Sequence, residues 1–381
     1  MNDKMKLLIV GGTFDDAVPK ASGFVHKLFL ALSSCPSLVT EMQNGGSYSQ
    51  LPELLEKTKE YDAVIWMPNV SNVLPKIRDV KEVAPHTLLV TSKRNDGDKY
   101  SFQELVNRAL GVKANLTIVI KKLDDAHFSM MLFDPLGNAW YNGDNIHELA
   151  KHLASRLVFL HGCTRQQTVR SYDFDPPAYR SYGQEAEQFV TLIKRYAGVF
   201  HDLIQPAKEV TRFLGNTSTG NFRCTRGGFP SYSFGNVVYM SRRNVDKETL
   251  SVEDFVPVSA FSADHEKIIY AGGNKPSVDT PVQVRLYNEL PNIHYMIHAH
   301  VYCKDGDNLA PFTARPIPCG ALEEVREVLS VIDTQYGNRK LTSYKINLIG
   351  HGCIVMGGAL SDIDNVDFVA RQFPENIFFS L

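Results

Sequence analysis

Residues 292–301, Asn292-Ile293-His294-Tyr295-Met296-Ile297-His298-Ala299-His300-Val301, decide how the second half of this 381-residue chain is read. In a strand, side chains alternate between faces, so His298 and His300 fall on one side, about 6.6–7 Å apart along the chain. Tyr295, Ile297, Ala299 and Val301 make up the opposite, packed face. Two imidazoles so placed can converge on one metal ion, although a His-x-His pair alone also suits a core or a wet surface. A second strand-like run, 345–349, leads into Gly350-His351-Gly352, where the glycines let the backbone bend and approach closely. His351, arriving from a separate strand end, brings the number of imidazoles to three and leaves room for a substrate. That is the ligand pattern of catalytic rather than structural zinc.

Working outward, the first half of the chain has a different pattern. Apolar runs at 5–10, 63–67, 87–91, 116–121 and 128–133 alternate with helix-like stretches at 22–33, 51–60, 101–111 and 145–160. Strand–helix alternation predicts a parallel α/β sheet, here a Rossmann-like or flavodoxin-like three-layer domain. Gly11-Gly12-Thr13 reads as a turn closing the first strand, either a plain tight turn or a phosphate cradle. No G-x-G-x-x-G and no Walker A lysine accompanies it, so this domain's ligand stays unassigned. Asp134-Pro135-Leu136-Gly137-Asn138 reads as a hairpin turn. The polar, proline-containing stretch 164–183 is the predicted linker, giving domains 1–163 and 184–381.

The composition is that of a globular protein, 44% hydrophobic and 22% charged with a net charge of −2. There is no polybasic tract to suggest nucleic acid and no apolar run long enough to suggest a membrane. The opening MNDKMKLLIVGG lacks a leader's cleavage pattern, and the six cysteines include no Cys-x-x-Cys pair. Reduced thiols and a cytoplasmic location are therefore expected.

Four segments of the second half resemble, in order, the class II aldolase/adducin family over about residues 185–375. They are Ser218-Thr219-Gly220-Asn221-Phe222-Arg223, the run from Val245-Asp246-Lys247 to Val256, Lys275-Pro276-Ser277-Val278-Asp279-Thr280-Pro281, and Gly350-His351-Gly352. The resemblance implies a class II aldolase-like α/β/α domain that binds a divalent metal, usually zinc, through His298, His300 and His351. It implies a lyase acting on a small sugar phosphate or related hydroxy-carbonyl compound through a metal-stabilised enediolate. A dehydratase or epimerase of the same family, and a non-catalytic adducin-like module, are the alternatives. The implied partners are a phosphorylated or acidic small molecule and further copies of the chain, a tetramer in the family.

Where the family has a catalytic glutamate this chain has Asp279, one methylene shorter. Its residue type and position also suit a helix cap, with Pro281 in the first turn. Gly220, Asn221, Ser277 and Arg243 are the expected contacts for the substrate's anionic end. Arg242 and Arg243 stand where the family has its second phosphate segment, and either could grip an anion. Tyr302 and Tyr336 are candidates for a second acid.

Overall fold

The computed structural model describes residues 4–70, 77, 79–124, 127–173, 183–202, 213–214, 228–235, 237–259 and 267–371. They form two compact units: residues 4–162 and 213–214 fall in the first, and the remaining described residues, from 163 on, in the second.

The first unit is built on β1 (Met5–Phe14), β2 (Leu38–Gly46), β3 (Ala63–Val70), β4 (Leu88–Arg94), β5 (Leu116–Lys122), β6 (Phe128–Phe133) and β7 (Ala139–Gly143). Their order in the sheet is β2-β1-β3-β4-β5-β6-β7. The first five strands are parallel and the last two antiparallel. The order 2-1-3-4-5 is the flavodoxin-like winding, reversing direction between β1 and β3.

Strand alternation produces the layers. Met5, Leu7 and Ile9 join one core with α1 (Gly23–Ser33) and α5 (Ile146–Gly162). Leu8 and Val10 join a second core with Leu51 of α2 (Leu51–Lys57), Val80 of α3 (Asp79–Val83) and Ala109 of α4 (Phe102–Gly111). Burial on both faces explains why β1 reads as an unbroken apolar run.

Gly11 and Gly12 do not end that strand, contrary to the sequence expectation. They lie inside β1 at a register shift against β2, and Gly12 adopts φ +78°. A Cβ on Gly12 would sit 2.5 Å from the backbone nitrogen of Gly45 and 2.8 Å from the Lys20 carbonyl oxygen, so close approach keeps the position open to glycine alone. At the carboxyl ends of the parallel strands a cleft of about 780 Å³ is lined by Gly12, Ser22, Asn69, Arg94 and Lys122, among others.

The second unit is a mostly antiparallel sheet of eight strands between helices. Its strands are β8 (Gln167–Arg170), β9 (Gly228–Phe234), β10 (Val237–Ser241), β11 (Phe255–Ser259), β12 (Lys267–Tyr270), β13 (Tyr295–Ala299), β16 (Ser343–Leu348) and β17 (Gly352–Gly357). The order is β16-β17-β13-β9-β10-β11-β12-β8. Short strands β14 (Tyr302–Asp305), β15 (Asn308–Leu309) and β18 (Phe368–Val369) form a small separate sheet.

On one face, Val282, Leu286 and Tyr287 of α7 (Thr280–Glu289) and Val325 and Val328 of α8 (Glu323–Val331) share a core with Met240, Met296, Ile346 and Ile354. On the other face, Phe189 of α6 (Gly183–Asp202) sits among the rings of Tyr232, Phe255 and Tyr295, with centroids 5.4–5.9 Å away. Both domains are thus α/β, and the second is α/β/α. Part of the predicted linker departs from expectation: residues 167–170 form the edge strand β8, parallel to β12. A polar, exposed edge strand lacks the apolar alternation that would betray it in sequence.

Candidate metal centre

β13 runs antiparallel between β9 and β17 and carries His298, with His300 just beyond its end. β17 begins one residue after His351, and Ala299 pairs with Cys353. The fit is close enough that a Cβ on Gly352 would lie 1.9 Å from the Ala299 carbonyl oxygen. Only glycine lets the His351 turn settle against the end of β13.

That turn is held from three sides. The Gly350 N–H donates to Tyr302 Oη at 3.2 Å and the Ile349 N–H to Thr313 Oγ1 at 3.0 Å. The buried Arg371 guanidinium donates to the carbonyls of His351 and Gly350, at 2.8 and 3.4 Å.

The result is a buried triangle of imidazoles, with ring centroids 5.4 Å (His298–His300), 4.7 Å (His298–His351) and 5.3 Å (His300–His351) apart. One potential ligand atom from each lies within 4.8 Å of the others. Hydrogen bonds set their orientation. His298 Nδ1 is 2.9 Å from the Cys353 carbonyl, which can only accept, so Nδ1 carries the proton and Nε2 presents a lone pair. That Nε2 is buried and has no hydrogen-bond partner among the described residues. His351 Nδ1 is 2.7 Å from Glu324 Oε2, and its Nε2 faces Cys319 Sγ at 3.0 Å. His300 Nδ1 is likewise buried without a partner among the described residues, while its Nε2 is 4.0 Å from the same sulfur. Phe229 stacks on His298 at 5.3 Å and closes that side.

Burial lowers the pKa of His298, with His351 adding to the effect and Asp279 and Glu324 opposing it. His300 is pushed well below the usual histidine value by burial and by the neighbouring positive groups. Both shifts favour the neutral imidazole, the form that can ligate a metal. Burial also pushes the Glu324 carboxyl up to about 7.

Asp279 stands at a helix start, yet its side chain does not serve the helix. Its backbone occupies the N-cap position of α7, but the side chain makes no capping hydrogen bond. Only 1% exposed, it leaves both carboxylate oxygens without a hydrogen-bond partner among the described residues. One of them lies within 4.8 Å of ligand atoms on Cys319 and His351. Burial raises its pKa, against the pull of His298 and His351. The Gly320 backbone opposes the rise more weakly, from outside good hydrogen-bonding geometry. Three imidazoles and a carboxylate, with unpartnered buried lone pairs among them, fit a divalent cation.

The expected anion contacts are less concentrated. Ser277 is buried, its N–H donating to the Ser241 carbonyl at 3.1 Å and its Oγ accepting from the Asp279 N–H at 3.4 Å. The Arg243 N–H donates to the Lys275 carbonyl at 2.9 Å, so segments 241–244 and 275–277 are laced together. The side chain of Arg243 is exposed, and Arg242 is engaged by Asp254 at 2.5 Å. Gly220 and Asn221 lie outside the described residues. The two tyrosines considered as a second acid both hydrogen-bond to the backbone: Tyr302 accepts from the Gly350 N–H, and Tyr336 donates to the Lys345 carbonyl at 2.7 Å. Sequence reasoning passed over Cys319 and Glu324. Glu324 looks like an ordinary acidic residue in a helix's first turn, and nothing in the sequence marks it as buried.

Residues 202–304 match the family model of the class II Aldolase and Adducin N-terminal domain. That match falls within the half of the chain, about residues 185–375, whose sequence resembles the class II aldolase/adducin family. The matched segment contains Asp279, His298 and His300, while Cys319, Glu324 and His351 follow it in the chain. Solved structures similar to this chain include an L-fuculose-1-phosphate aldolase from Thermus thermophilus. It is 15% identical, covering 46% of this chain and 84% of its own, with a TM-score of 0.29. A putative aldolase/epimerase/decarboxylase from Klebsiella pneumoniae is 13% identical, covering 47% of this chain and 81% of its own, with a TM-score of 0.31. A DNA/pantothenate metabolism flavoprotein from Streptococcus pneumoniae is 14% identical, covering 41% of this chain and 99% of its own, with a TM-score of 0.34. Among the described residues no helix is long and apolar enough to cross a membrane.

Proposed function

We propose that the second unit is a metal-dependent lyase that cleaves a small phosphorylated hydroxy-carbonyl compound by a retro-aldol reaction. The observation behind this reading is the convergence of three buried imidazoles beside a buried carboxylate with no hydrogen-bond partner among the described residues. A structural carboxylate would be expected to have its donors close by.

In this reading His298, His300 and His351 hold a divalent cation, with zinc favoured by the nitrogen-rich set. When bound, such an ion supplies Lewis acidity to the substrate's carbonyl oxygen. Asp279 takes the proton from the β-hydroxyl. The carbon–carbon bond beside that hydroxyl then breaks, and its electron pair passes to the carbonyl side. Burial helps this carboxylate hold a proton once it has accepted one. Ser277 positions Asp279 through its backbone, and Arg243 offers a cation to the phosphate end. Glu324 keeps the His351 ring turned inward. The same reading includes a homo-oligomer in the cytoplasm, which sedimentation and fractionation would check.

The deciding experiment incubates the zinc-loaded chain with a panel of ketose 1-phosphates and follows aldehyde release. Stoichiometric zinc with cleavage of at least one of them supports the lyase. A stable, folded chain that takes up no divalent metal would overturn it.

A further inference from the structure

Cys319 belongs to neither histidine strand. It stands in the turn Pro318-Cys319-Gly320, ahead of α8. Gly320 adopts φ +73°, and a Cβ there would meet the Val278 carbonyl oxygen at 2.6 Å. The turn therefore lies directly on the residue before Asp279, and this close approach brings the sulfur to the imidazoles.

Its Sγ is 3.0 Å from His351 Nε2 and 4.0 Å from His300 Nε2. In a tetrahedral zinc site with Zn–N of about 2.0–2.1 Å and Zn–S of about 2.3 Å, neighbouring N and S atoms stand roughly 3.5 Å apart. The two observed distances bracket that value. Asp279, Cys319 and His351 form a second group of potential ligands within 4.8 Å, sharing His351 with the imidazole triangle. Around them the buried lone pair of His298 Nε2 and both oxygens of Asp279 have no hydrogen-bond partner among the described residues. All of these atoms want a cation, and the sulfur lies among them.

We propose that Cys319 is a ligand of the same metal, its thiolate taking the fourth position beside the three imidazoles. This rests on the metal reading above. On binding, the S–H bond breaks, a sulfur–metal bond forms, the proton leaves to solvent, and no oxidation state changes. Two consequences follow. A thiolate in the set favours zinc or cobalt(II) over magnesium or manganese. The position that a substrate oxygen needs is held in the resting protein by sulfur, so substrate enters by ligand exchange. The competing account is a simple S–H···N hydrogen bond that satisfies His351 and leaves the metal to nitrogen and oxygen.

Cobalt(II) distinguishes the two accounts, because a thiolate ligand gives an intense near-ultraviolet sulfur-to-metal charge-transfer band. The full chain titrated with cobalt(II) is expected to show that band saturating together with the visible ligand-field bands. In Cys319→Ser the charge-transfer band disappears while the visible bands remain, and zinc affinity falls by more than about tenfold, the lower edge of losing even an outer partner. Zinc is also expected to protect Cys319, but not Cys35 or Cys163, from alkylation read by peptide mass spectrometry. Stoichiometric cobalt binding with no charge-transfer band, or with a band that persists in Cys319→Ser, overturns the thiolate ligand and leaves the three-histidine reading standing. Failure to bind cobalt or zinc at all overturns both.

Discussion

Asp134 in the first unit and Asp279 in the second are both buried carboxylates, 5% and 1% exposed. Asp134 accepts from the backbone N–H groups of Leu136 and Asn138, from Asn138 Nδ2 and from Trp140 Nε1, at 2.8–3.1 Å. It ties the hairpin turn between β6 and β7, where Gly137 adopts φ +88°. Asp279 accepts no well-formed hydrogen bond at either oxygen from the described residues. A buried carboxylate with all its donors in place is architecture, whereas one without them suits the metal and proton-transfer role proposed above. The two units differ in how such groups are arranged. The first has two apolar cores on opposite faces of its sheet and buries Asp134 and Arg156 apart from any imidazole cluster. The second buries His298, His300 and His351 together, with Glu324 against His351.

Four substitutions put this contrast to the test. His298→Ala is expected to have the largest effect, abolishing stoichiometric zinc and lyase turnover together; elemental analysis and an aldehyde-release assay check it, with circular dichroism confirming the fold. Asp279→Asn is expected to lower turnover by about 10²–10⁴-fold, the worth of a positioned proton-transfer group, and to leave the melting temperature unchanged or higher. A substantial loss of stability in Asp279→Asn would make this residue architectural and erase the contrast. Asp134→Ala inverts that pattern. It strands several buried donors and should destabilise the first unit by about 3 kcal/mol or more in chemical denaturation, with no change in zinc content. Glu324→Gln has the mildest consequence, weakening zinc by about 10–100-fold in competition with a chelator, because the ring is less firmly turned and its nitrogen less basic.

The sequence was most legible where burial is simplest. Strands with both faces covered, such as β1 and β3, stand out as continuous apolar runs. β2 did not, because Thr40, Glu41, Gln43 and Asn44 line a half-exposed sheet edge with no alternation to follow. In the centre, the three histidines could be found because two have the spacing of one strand face, although His300 falls just past the end of β13, and the third sits between glycines that a close turn requires. Cys319 and Glu324 could not, since their relevance depends on a turn and a helix folding back onto β13 and β17. No spacing rule links residue 319 to residue 351. Asp279 carried two compatible meanings in sequence, and only the direction of its side chain separates them: the backbone starts a helix while the carboxylate turns away from it.

The Arg371 guanidinium, wholly buried and clasping the carbonyls of Gly350 and His351, ties the centre to the order of synthesis. The ribosome releases His298 and His300 well before the arginine that fastens the third imidazole's turn. Until Arg371 emerges, a nascent chain lacks the two guanidinium hydrogen bonds that hold the His351 turn. Under the proposed metal reading, loading of the ion would be completed late in biogenesis, and a chain cut short before Arg371 is expected to bind zinc more weakly in competition with a chelator.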